Sequence, residues 1–159
     1  MALKPDFNVI ADDISFFCND TTADRGGILC ISTVGSGAAM DQAGAVVTYS
    51  ATSSGKAPMG ILMQDVVNLD LTRQHPNWYR HEVQTGGKVW IMTQGTVVTD
   101  RVYPGTTPAA GSAAYVHHSG YVTPTRGASG DTPLVGKFLS SKDEGGFAKL
   151  SINLPTALT

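Results

Sequence analysis

The chain has 159 residues, 42% of them apolar and only 15% charged, with a formal net charge of −2. One domain is the default at this length, long enough to bury a core without metal or disulfide staples, and the apolar share excludes wholesale disorder. The 11 Lys and Arg residues are scattered singly, which excludes a generic nucleic-acid binder, and no apolar run approaches the ~20 residues needed to cross a bilayer as a helix.

The first residues, Met-Ala-Leu-Lys-Pro-Asp, lack the apolar core of a secretory signal, so synthesis in a cytoplasm is expected. Residues 1–25 read as an extended N-terminal arm carrying Leu3, Phe7, Val9, Ile10, Ile14, Phe16 and Phe17. Each of these side chains contributes about 1.5–3 kcal/mol if fully buried, against about 1–2 kcal/mol for fixing every backbone unit. The arm therefore does not order itself; it adds to the chain's own sheet or docks on a partner. Within it, Ile14–Cys18 is strand-like, as is Ile28–Thr33 beyond it. Cys18 and Cys30 sit in these apolar stretches, which predicts buried, reduced thiols.

Val34-Gly35-Ser36-Gly37 reads as a turn, Ala45–Ala51 as a strand and Thr52–Lys56 as a polar loop. Ala57–Gly60 leads into an apolar run over Ile61–Val67. Residues 68–81 (NLDLTRQHPNWYRH) form a long polar excursion with Trp78 and Tyr79, with room for one helical turn. Large aromatics in a polar loop either fold back on the domain or serve as interface anchors. Glu82–Gln84 leads to a Gly86-Gly87 turn, and Lys88–Thr93 is the strongest strand pattern; Gln94-Gly95 reads as a turn into Thr96–Thr99. Ser119-Gly120 separates Ala113–His118 from Tyr121–Thr123, and Asp143-Glu144-Gly145-Gly146 separates Val135–Ser140 from Phe147–Leu154, as in two hairpins. The last strand alternates, with Ala148, Leu150, Ile152 and Leu154 on one face. No stretch keeps an apolar helical stripe over several turns. The expected fold is all-β, a small antiparallel barrel or sandwich over 26–159 with the arm at 1–25.

Chemistry-bearing motifs are missing. Gly35-Ser36-Gly37 is not continued into a dinucleotide loop, Gly86-Gly87-Lys88 is followed by Val89 rather than Ser or Thr, and there is no G-x-S-x-G elbow. His117 and His118 are adjacent and, if in a strand, point to opposite faces, which does not suit a shared metal. Asp12-Asp13 and Asp143-Glu144 read as solvated turn acids. No catalytic residue, metal or cofactor is expected.

The order of several weak pieces carries more. Ala57-Pro58-Met59-Gly60-Ile61-Leu62 is followed by Gly87-Lys88-Val89-Trp90-Ile91-Met92 with Gly95-Thr96-Val97. Pro108–Val116 (PAAGSAAYV) and Gly120-Tyr121-Val122-Thr123 come next, then Val135–Leu139 with Gly145–Leu150 and Asn153-Leu154-Pro155. In this order they resemble the head decoration, or cement, proteins of tailed phages, over roughly residues 26–155. The resemblance implies a compact β-barrel, a homotrimer, the major capsid protein as partner, and a place on the outer capsid surface of the virion after synthesis in the host cytoplasm. It also implies mechanical stabilisation of the lattice by added subunit contacts, with no role for nucleic acid or membrane. The arm and the excursion have no counterpart in it; Phe7, Val9, Ile10, Ile14, Phe16, Phe17, Trp78 and Tyr79 are the candidate partner-binding residues. A phage tail or baseplate component and a carbohydrate-binding β-barrel on the virion surface are the alternatives. A trimeric deoxyuridine triphosphatase is disfavoured, because Gly145-Gly146-Phe147 lacks the flanking Arg and Ser-Thr-Gly of that family's motif.

Overall fold

A computed structural model describes residues 3–4, 6–33, 45–49, 56–127 and 132–154. The expected Val34–Gly37 turn and most of the Thr52–Lys56 loop lie outside these residues. In chain order the strands are β1 (Asn8–Asp13), β2 (Phe17–Cys18), β3 (Ile28–Thr33), β4 (Val46–Thr48), β5 (Pro58–Leu62) and β6 (Asp65–Val67). They continue as β7 (Glu82–Gln84), β8 (Ile91–Thr99), β9 (Ala113–Val116), β10 (Val122–Thr123), β11 (Leu134–Phe138) and β12 (Ala148–Asn153), and short 3₁₀ turns stand at Trp78–Arg80 and His118–Gly120. The fold is all-β, with no α-helix among the described residues.

Ten strands form one sheet in the order β10-β9-β11-β12-β8-β5-β3-β4-β2, with β1 paired to β8, while β6 and β7 form a separate pair. The end strands β10 and β2 do not pair, so the sheet is open; of the two expected forms the structure is sandwich-like rather than a closed barrel. Nor is it purely antiparallel: β2–β4 and β6–β7 are parallel.

The apolar runs read from the sequence explain the layering. Alternate residues of β3, β5 and the start of β8 enter different core clusters. Ile28, Cys30, Ile61 and Met92 face one, which is filled by Val97, Ala114, Val116, Val122, Val135, Phe138, Leu150 and Ile152. Leu29, Leu62 and Ile91 face the other, with Cys18, Val47, Val66 and Val89. These three strands form a central layer buried on both faces, which is why they are continuously apolar rather than alternating. The closing strand β12 has only one buried face and alternates as expected, with Ala148, Leu150 and Ile152 inside.

Two readings are corrected. Gln94-Gly95 is not a turn: β8 runs unbroken through it, pairing with β12 on one edge and β1 on the other over residues 94–96. The extended arm is not seen either. Lys4 N donates to Val98 O at 2.9 Å, Leu3 is buried in the core, β1 lies antiparallel along β8 and β2 lies along β4. Main-chain pairing with the chain's own sheet supplies what the arm's side chains alone lack.

Cys18 and Cys30 are buried and form no disulfide. Their strands lie on either side of β4, so their backbones are about two strand spacings apart, roughly 9–10 Å, beyond disulfide reach. Burial pushes both thiols up to about 11.

Candidate interaction surface

The side chains singled out in the N-terminal segment divide by register. Val9 pairs opposite Gly95 and packs on the larger core cluster. Phe16 packs on the smaller one. Phe17 is half-buried in β2 with the Lys88 Nζ 5.6 Å from its ring centroid. Three others face outward. Phe7 is 40% exposed, Ile10 66% and Ile14 64%. Ile10 stands on the outward face of β1, where exposure alternates residue by residue, and the register steps from Val9↔Gly95 to Ala11↔Gln94, leaving it as the extra residue of a bulge.

The 68–81 excursion carries the other pair. Trp78 is 81% exposed and Tyr79 99%. Both stand in the first 3₁₀ turn, whose N-cap Asn77 accepts from Tyr79 N at 3.1 Å and whose closing residue His81 is left-handed at φ 55°. Neither aromatic is buried in the core.

The structure brings Phe7 and Tyr79 to one cavity of about 350 Å³, lined also by Leu3, Lys4, Arg25, Met63, His81 and Trp90. Phe7 meets the Trp90 ring edge-on at 6.5 Å, and the indole is held by Trp90 Nε1 donating to Asp12 Oδ2 at 2.7 Å. Sequence reasoning placed Trp90 in a strand and missed it here. Arg25 gave no local signal, because only the tertiary fold brings it to the cavity.

The acidic pairs have structural partners. Asp13 accepts from Ser15 N at 2.6 Å, and Asp143 accepts from Phe147 N at 2.8 Å and from Lys4 Nζ at 3.0 Å. These contacts hold the Asp143 carboxyl below the usual range, the Phe147 amide first among them. The opposite-face expectation for the histidines is corrected. β9 ends at Val116 and His118 opens a 3₁₀ turn, so the rings of His117 and His118 approach to 4.3 Å, with Tyr103 stacked on His117 at 3.8 Å. No group of three metal-ligating side chains occurs among the described residues.

The described surface is thus that of a β-sandwich interaction module: a doubly buried centre, a bulged outer strand and a loop presenting two exposed aromatics. The chain belongs to the phage structural cement protein family, whose sequence model, described as structural cement protein (E217 gp24/Pam3 gp6), matches residues 10–153. No curated protein sequence matches the chain. It is accordingly a structural protein of the virion that decorates and stabilises the capsid. The match begins at Ile10 and includes the 68–81 excursion, so the family resemblance extends further into the N-terminal segment than roughly residues 26–155.

Proposed function

We propose that the chain is a homotrimeric, non-enzymatic cement that grips the major capsid protein through the face where β1 and the 68–81 excursion meet, without contacting nucleic acid or membrane. Phe7, Ile10, Ile14, Trp78 and Tyr79 make the contacts, while Val9, Phe16 and Phe17 fix the strands that present them. The observation that carries this reading is the convergence of Phe7 and the almost fully exposed Tyr79 on one cavity. Large apolar side chains held out in solvent are the raw material of interface hot spots. The weakly charged surface, at 15% charged residues, lets like subunits approach without strong repulsion, which supports trimerisation.

Rebinding to heads that lack the protein tests this. Wild-type chain is expected to sediment with the heads, and a reconstruction should show three copies around a local threefold with β1 and the excursion against the capsid subunits. Density for isolated monomers, or for attachment through the β10 end of the sheet, would refute it.

A further inference from the structure

The cavity between the N-terminal segment and the excursion has a chemical bias that points to what enters it. Leu3, Phe7, Met63 and Trp90 give it apolar walls and Tyr79 an aromatic rim. Its remaining lining residues among those described are Lys4, Arg25 and His81, with no carboxylate among them, although the chain as a whole is net negative. Lys4 is already paired with Asp143 at 3.0 Å. Arg25 is different. Its backbone N donates to Asp65 Oδ1 at 2.8 Å, but its side-chain Nε is buried with no hydrogen-bond partner among the described residues. A buried charged donor left unpaired is costly, and a carboxylate is the acceptor that matches a guanidinium best.

We infer that this cavity receives a segment of the capsid subunit in which an apolar side chain stands beside a carboxylate. The apolar side chain fills the space between Phe7, Met63 and Trp90, Tyr79 closes over it, and the carboxylate pairs with Arg25. This rests on the capsid-binding reading above and adds the chemistry of the partner. Aromatic walls with cations also suit a nucleotide, but a net-negative chain with scattered basic residues disfavours a polyanion.

The test uses intact chain and heads lacking the protein. Binding is compared for wild type, Arg25→Gln, Arg25→Lys and Tyr79→Ala, and a photoreactive benzoylphenylalanine placed at position 79 identifies the segment it touches. Arg25→Gln and Tyr79→Ala are expected to bind about tenfold more weakly or worse, with Arg25→Lys between them and wild type. The crosslinked segment is expected to carry Asp or Glu next to an apolar residue. A crosslink to a segment without an acid, to a second copy of this chain or to DNA would overturn the inference. So would Arg25→Gln binding as tightly as wild type while wild type binds well, and in that case the capsid-binding reading survives. A wild-type chain that does not bind the heads overturns both. If Arg25→Gln folds poorly, the crosslink decides alone.

Discussion

Replacing Gly95 with alanine tests whether the N-terminal strand belongs to its own sheet. Gly95 lies in the middle of β8 at φ +148°, and a Cβ there would stand 2.1 Å from Asn8 O and 2.9 Å from Met92 Sδ. An ordinary contact is about 3.5 Å, so the β1 backbone must move by more than an ångström or detach. The thioether can swing aside; the carbonyl of a paired strand cannot without breaking the register. Overpacking of this kind costs about 1–3 kcal/mol and the disfavoured backbone region a further ~1–3 kcal/mol. A total of about 2–6 kcal/mol corresponds to a fall in melting temperature of roughly 4–24 °C for a domain of this size. The control is Gly105→Ala, at φ +81° with no described atom within 4 Å of its Cβ, which bears only the backbone term of about 1–3 kcal/mol. Thermal melts give the magnitudes, and amide hydrogen exchange of residues 9–13 shows whether β1 is released. A Gly95→Ala melt no lower than that of Gly105→Ala, with those amides still protected, would mean that β1 does not cross β8 so closely and that its docking on its own sheet is misread.

Three further outcomes are expected. Phe138 is the largest fully buried side chain, and Phe138→Ala should cost about 3–5 kcal/mol in urea unfolding; under 1 kcal/mol would mean that the cluster around it is not the core. Burial holds the His117 imidazole below its ordinary value of 6.5, and the neighbouring His118 adds to this. The unfolded chain therefore takes up that proton first: stability is full above about pH 6.5, falls as pH drops through it and levels off below the folded value. Denaturation midpoints across this window should fall in wild type and stay flatter in His117→Gln. The thiols of Cys18 and Cys30, raised to about 11 by burial, should not react with a disulfide reagent in the native protein near neutral pH, while two react after denaturation. Because the unfolded chain loses these protons first, they should also lower stability as pH rises above about 9.

What the sequence shows and what it hides follow from the range of the forces involved. Ile28–Thr33 and the alternating last strand are legible because burial pattern is local to each strand. The doubly buried runs of β3 and β5 are recognisable as strands, but a run apolar on every residue does not say which layer covers each face. Gly95 was misread because Gln-Gly is a turn signal locally, whereas here the missing Cβ makes room for another strand's carbonyl, a contact between residues 8 and 95 that no short window contains. The His117–His118 contact was missed for a related reason: alternation holds only while the strand lasts, and β9 ends one residue earlier. Of the surface, Phe7, Trp78 and Tyr79 were legible as large aromatics in polar surroundings. Arg25 and Met63 were not, since nothing local distinguishes an arginine at a cavity wall from one in solvent.

On the proposed capsid contact, the excursion would offer its exposed aromatics without a large cost at binding. A loop of this length would ordinarily lose much conformational freedom when it docks. Here its base is closed by the parallel pair β6–β7, with Asp65 opposite Glu82. Its entry and exit are tied by Leu69 N to Gln84 Oε1 at 3.1 Å and Gln84 Nε2 to Leu69 O at 3.2 Å. Asp70 accepts from Thr72 N at 3.0 Å and from its hydroxyl at 2.6 Å, and Asn77 N donates to Glu82 Oε2 at 2.9 Å. The loop's polar residues, which in the sequence look like solvated filler, are thus the braces that hold Trp78 and Tyr79 in place. On the capsid contact proposed above, docking such a loop would need little further ordering, so more of the contact energy of the two rings would go into residence on the partner.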